Sequence, residues 1–181
     1  MPGRKIKPLD SGKLLDYGLR LLGGRAYSTG ELREKLRRRA ERPEDVESVV
    51  NKLKESGYLN DRRFAESFAA ARLENQGLGK MRVLRDLRQR RVAPNLAAQV
   101  TEQTYQSADE IELIEAFLAR KFRGKRLKSF LAEEKNLAAA YRRLRYAGFS
   151  SGASIRVLKR YANQAEELES LETDDPTARS D

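Results

Sequence analysis

Arginine is the residue whose type and spacing point to chemistry in this chain. Three stretches concentrate it: Arg33, Arg37 and Arg38 around Leu32 and Leu36; Arg82, Arg85 and Arg88 around Val83, Leu84 and Leu87; Arg142, Arg143 and Arg145 around Tyr141 and Leu144. On helical wheels built on those apolar lines, Arg33, Arg37 and Arg38 point outward. Arg82 and Arg85 face solvent, Arg88 flanks the core, and the last three surround their stripe. Leu36, Leu87 and Leu144 hold the same place in each stretch, at spacings of 51 and 57 residues. Ordinary solvating charge would not need to recur this way. A guanidinium is a planar fork that meets phosphate or carboxylate with two hydrogen bonds. The recurrence therefore predicts a basic stripe facing a polyanion or an acidic protein surface. Lys80, at the start of the middle helix, and Arg72 extend the candidate set.

Common catalytic chemistry is largely out of reach. The chain has no His and no Cys, so it lacks the usual general base near neutral pH, the usual zinc ligands and the thiol nucleophile. Carboxylate-only or lysine-based catalysis stays open. Glu133-Glu134 and the C-terminal acids lack metal-site spacing. No enzyme activity, metal or cofactor is expected.

Charge is unevenly spread along the 181 residues. The net charge is +10, yet the segment from Gln164 to Asp181 holds seven acidic residues against the single Arg179, leaving +16 on residues 1–163. A body this basic points to nucleic acid or another polyanion. No run of about 18 apolar residues suggests a membrane span, and Met1–Lys7 is followed by no apolar signal region. Absent cysteine agrees with a cytoplasmic location.

The elements positioning the arginines read as helices throughout. Apolar residues make up 39% and aromatics 7%, thin for one deep core but suited to small bundles that each bury a narrow stripe. A first trihelical unit is predicted over 11–59. Its first helix ends at Gly23-Gly24, a capping box at Ser28/Glu31 opens the second, and Pro43 opens the third. A second unit spans 60–106, with Phe64 and Phe68 as core and helices near 80–91 and from Pro94. A third spans 107–163, begun by Ser107 with Glu110 as capping partner and including a basic linker at 123–128. Residues 1–10 read as a flexible basic lead and 164–181 as an acidic disordered tail. Together these predict an all-α chain of three tandem three-helix, helix-turn-helix-like units in an elongated, curved, monomeric body. Tyr58, Tyr105 and Tyr161 are expected to close the third helices as core lids. Gly77-Leu78-Gly79-Lys80 lacks the spacing of a phosphate loop and reads as a helix break with a nearby backbone contact.

Several of these residues resemble a known family. Tyr27-Ser28 with Glu31-Leu32 and Lys35-Leu36, the run from Gly57 to Ala65 (Gly-Tyr-Leu-Asn-Asp-Arg-Arg-Phe-Ala) with Phe68, Arg72 and Gly79, and Arg142 to Ser150 are similar to the RecX family. The middle segment is the specific one. Gly23-Gly24, Ala40–Pro43 and the Gly152-Ala153 region depart from the family pattern. The resemblance implies a regulator lodged in the groove of the RecA–DNA filament, with RecA and single-stranded DNA as partners. It further implies restraint of RecA's ATP hydrolysis, filament growth and strand exchange, and so of recombination and the SOS response. A free-standing helix-turn-helix-like nucleic-acid binder, acting without RecA, is the alternative that charge alone does not separate.

Overall fold

The computed structural model describes residues 7–162 together with Ala165 and Leu168. Among these residues the fold is all-α. The helices are α1 (Ser11–Gly24), α2 (Thr29–Arg37), α3 (Pro43–Glu55), α4 (Asp61–Gln76), α5 (Lys80–Gln89), α6 (Pro94–Tyr105), α7 (Glu110–Lys121), α8 (Leu127–Leu131), α9 (Glu134–Tyr146) and α10 (Ser151–Lys159). No described helix is long and apolar enough to cross a membrane. The acidic tail expected over 164–181 lies outside the described residues except for Ala165 and Leu168.

Helix starts follow the local code. Asp10 caps α1 by accepting from the Lys13 N–H at 3.0 Å, and α2 carries the full Ser28/Glu31 capping box. Pro43 sits in the first turn of α3, where its missing N–H costs nothing. Gly57, with φ of 74°, ends α3 in the left-handed conformation open to glycine. The Leu59 N–H then reaches back to the Leu53 carbonyl at 3.1 Å.

Several boundaries differ from the sequence reading. Helix α1 runs through Gly23-Gly24, and the chain leaves it only at the extended Arg25. Ser107 does not cap α7; Asp109, directly before the helix, accepts from the Ile111 and Glu112 N–H groups instead. That frees Glu110, whose carboxylate accepts from the Ser150 N–H at 2.7 Å and the Ser150 hydroxyl at 2.8 Å. The stretch after Phe122 is a turn followed by the short α8. Leu9, assigned to the lead, is held by backbone bonds to Arg39 at 2.7 Å and Glu41 at 2.9 Å.

The chain divides into two compact units, Met1–Ala69 with Asp86–Thr101, and Ala70–Arg85 with Glu102–Asp181. The boundaries fall inside α4, α5 and α6, so they cut across the middle segment of the three-helix reading. In the first unit, α1 and α2 pack on α3 around Leu14, Leu32, Leu36, Val46, Val49, Val50 and Leu53, each at most 1% exposed. In the second, α7 and α9 pack on α10 and α8 on α9. Its core includes Ile114, Leu118, Leu144, Phe149 and Leu158, all fully buried. Each such side chain contributes about 1.5–3 kcal/mol of burial, which is how two small cores hold so polar a chain.

Candidate functional site

The start of α5 is fastened to the end of α9 within the second unit. The Gly79 N–H donates to the Ala147 carbonyl at 2.8 Å, and the Met81 N–H to the Gly148 carbonyl at 3.1 Å. The backbones approach so closely that a Cβ on Gly79 would lie under 3 Å from Gly148 and Phe149 backbone atoms. Gly148 itself has φ of 91°. The expected backbone contact of the Gly77–Lys80 turn is thus in place, and the N–H groups of Gly77, Leu78 and Gly79 are all spent on carbonyls.

This docking carries arginines of α5 onto the end of α9. Arg82 and Arg85 donate to the Tyr146 carbonyl at 3.4 and 3.3 Å, with guanidinium carbons 4.6 and 5.8 Å from the centre of its ring. Arg145 donates to the Phe149 carbonyl at 2.6 Å. The carbonyl end of a helix has unpaired acceptors and the negative pole of its dipole, which draws cations to it. Tyr146, beneath them, is 69% exposed. Arg82 is half-buried rather than facing solvent, and Arg88 is exposed rather than flanking the core. Arg82 lies against the Gly148 turn, which covers it, whereas Arg88 falls on the solvent side of a last turn whose Asp86 and Leu87 are buried.

The first unit repeats the device. Gly30, at the start of α2, lies against Arg91, where an added Cβ would again fall under 3 Å from Arg91 atoms. The Ser28 hydroxyl donates to the Arg90 carbonyl, and Arg91 adopts φ of 58°, the counterpart of Gly148. Sequence reasoning missed this joint because Gly30 sits inside a capping box and reads as neutral. Its one signal is the 49-residue spacing from Gly30 to Gly79. Glu31 ties the joint, accepting from Arg90 at 2.8 Å and Arg25 at 3.4 Å. Burial pushes the Glu31 carboxyl up, but bonds from Arg90, Arg25 and the Ser28 N–H outweigh it and hold it below its ordinary 4.5. A carboxylate lowered on folding stabilises above its unfolded value and loses that contribution as pH falls through the folded one. Glu31→Gln is therefore expected to lower the melting temperature at pH 7, with the gap to wild type closing as pH falls below the ordinary 4.5 and through the lowered folded value. A gap independent of pH in thermal melts would contradict this.

The remaining candidates divide by commitment. Arg33 forms a two-pronged pair with Glu47 at 2.7 and 3.0 Å, and Arg38 pairs with Glu34 at 3.1 Å. Arg72 bonds Gln76 at 2.6 Å, Lys80 pairs with Glu102, and Arg143 lies 5.4 Å from the Phe122 ring centre. Arg37, Arg88 and Arg142 are exposed and make no ion pair with the described residues. One of these three stands on each second helix, α2, α5 and α9.

The aromatic expectations are partly corrected. Tyr58 is 58% exposed; Leu59, at 3%, closes α3 instead. Phe64 and Phe68 are only half-buried and stack on each other at 6.0 Å, so they are not a deep core pair. Tyr105 is half-buried; its hydroxyl donates to the Leu78 carbonyl at 2.6 Å, and burial pushes it up to about 12. Tyr161 packs, partly buried, on the second unit's core. Among the described residues no acidic cluster is placed to hold a metal ion.

Comparison with known proteins bears on the whole arrangement. Residues 15–53 match the family model for the first three-helix domain of RecX, and residues 60–100 that for the second. The chain is 36% identical over 106 residues to the regulatory protein RecX of Trichlorobacter lovleyi, covering 59% of this chain and 69% of that protein. With the regulatory protein RecX of Vibrio vulnificus it shares 31% over 150 residues, or 83% and 92% of the two chains. With that of Deinococcus radiodurans it shares 42% over 99 residues, spanning 55% of this chain and 45% of that protein. A crystal structure of RecX from Lactobacillus salivarius superposes with a TM-score of 0.62 at 18% identity, over 83% of this chain and 96% of the other, which shows the shared fold. Two matched three-helix domains and near-full-length relatives lead to one conclusion: the chain belongs to the RecX family of regulatory proteins.

Proposed function

We propose that this protein regulates RecA by binding the RecA–DNA filament, and that it restrains RecA's ATPase, filament growth and strand exchange. Family membership supplies the partner. The observation that supports a surface-binding role is the set of exposed, uncommitted arginines, Arg37, Arg88 and Arg142, one on each second helix. Their guanidinium groups suit phosphate or carboxylate on a nucleoprotein surface. Arg82 and Arg85 lie over the exposed Tyr146 in the second unit and supply a cationic patch of the same chemistry. On this reading the protein acts as a monomer in the cytoplasm, and RecA supplies all ATP chemistry.

The test is RecA's DNA-dependent ATPase, titrated with wild-type protein and with R37A/R88A/R142A. Exposed positions of this kind shift stability by within about 0.5 kcal/mol each, so helicity and melting should persist. The inhibition curve should move to about tenfold higher protein. If the arginines meet phosphates, the salt dependence of filament binding should flatten by about 0.7–0.9 per lost contact. An ATPase rate unchanged at saturating wild-type protein overturns the regulatory reading. Unchanged inhibition by the triple variant overturns only the assignment of these arginines. Tight sequence-selective binding to bare duplex would favour a free-standing reader.

A further inference from the structure

A groove within the first compact unit shares none of the eleven candidate residues. Its volume is about 1160 Å³, and it is walled by the end of α1, the turn after α3 and the flank of α4. Tyr27, Tyr58, Phe64 and Phe68 line it together with Arg25, Arg63 and Arg90, and no carboxylate lines it. The rings are not packed away. Tyr58 is 58% exposed, while Phe64 and Phe68 are half-buried and stacked at 6.0 Å with 23° between their planes.

The cations are held in place. Arg25 lies 3.5 Å from the Tyr27 ring centre and Arg90 lies 5.8 Å from that of Phe68. Glu31 bonds both guanidinium groups and so fixes their orientation. Arg63 is exposed and makes no ion pair with the described residues, so its charge is fully available.

We propose that this groove binds a short segment of single-stranded nucleic acid. Bases stack on Tyr58 and on the Phe64/Phe68 pair, and the phosphates run past Arg63, with Arg25 and Arg90 beside them. Three features carry the assignment. The volume, at the top of the roughly 300–1,000 Å³ span of ligand sites, leaves room for more than one base and its phosphate. Ring faces interleaved with arginines, without carboxylates, are the pattern of single-strand grooves, where every base offers a π-face and every linkage an anion. The Tyr58 ring, 58% exposed, is left in contact with water, and a stacking ligand would cover it. An acidic peptide would meet the same arginines but has no need of stacked flat faces.

The experiment uses the full chain without any partner protein, which keeps its outcome separate from the filament assays. Fluorescence anisotropy compares an oligothymidylate of about ten nucleotides with an abasic strand of equal phosphate number. The thymidylate is expected to bind about tenfold tighter. Tyr58→Ala should shrink that difference severalfold, the Phe64/Phe68 pair keeping the remainder, while leaving abasic-strand binding and the circular dichroism spectrum as they were. Arg63→Ala should weaken both strands. Photocrosslinking with 5-iododeoxyuridine should label Tyr58 or Phe64. Equal affinity for the two strands, a silent Tyr58→Ala, or crosslinks confined to other helices overturns the proposal. So does a Tyr58-dependent complex with an acidic peptide in the absence of strand binding, which would reassign the groove to a protein segment.

Discussion

Gly148→Ala should cost this protein on the order of 3 kcal/mol or more and open the joint that carries the α5 arginines. Two independent penalties add at this position. Its φ of 91° is one that L side chains rarely adopt. The added Cβ would also fall under 3 Å from Arg82 backbone atoms, which have no flexible end to move away. Relief requires α5 to lift off the α9–α10 turn, at the expense of the Gly79–Ala147 and Met81–Gly148 backbone bonds. Gly79→Ala attacks the same contact from the other side without any φ penalty, so it should be the milder of the two. Because both variants break one joint, the double variant should cost less than the sum of the singles. Urea unfolding of the three variants checks this; full additivity would mean the two glycines act separately. Arg82 and Arg85 should lose their fixed place over Tyr146, so filament binding should weaken even where the fold survives.

Phe149→Ala is the second large effect, expected at about 3–5 kcal/mol. The ring is fully buried and meets Phe117 edge to face at 5.6 Å between centres. Removing it leaves a cavity where α7, α9 and α10 converge, and small domains have only about 5–15 kcal/mol in total. Hydrogen exchange read by mass spectrometry should show protection lost across α7, α9 and α10 while α1–α3 keep theirs, since the first unit has its own core. Uniform loss over the whole chain would show that the two cores do not unfold separately. Phe64→Ala, by contrast, should fall below this range, because that ring is only partly buried.

Much of the fold was legible because it is local. Capping at Ser28, proline at position 43, the stop at Gly57 and the apolar periodicity of α3 act within a turn or two of chain, so residue order alone determines them. The family resemblance rests on the same short-range patterns. Ambiguity entered where two local signals competed, as at α7, where Ser107 and Asp109 both offer a cap and the charged oxygen beside the helix is the one used.

The arginines show the other side. The sequence established their number, their recurrence on second helices and the absence of any histidine or cysteine chemistry beside them. Which of them remain available was decided by partners far along the chain: Glu47 for Arg33, Glu102 for Lys80, Tyr146 for Arg82 and Arg85. A helical wheel describes one helix in water, whereas a guanidinium's fate depends on whichever carbonyl, carboxylate or ring a second element brings within about 4–6 Å. The groove of Tyr58, Phe64 and Arg63 was hidden for the same reason. Aromatic residues at helical spacing read as core until tertiary packing leaves their faces uncovered.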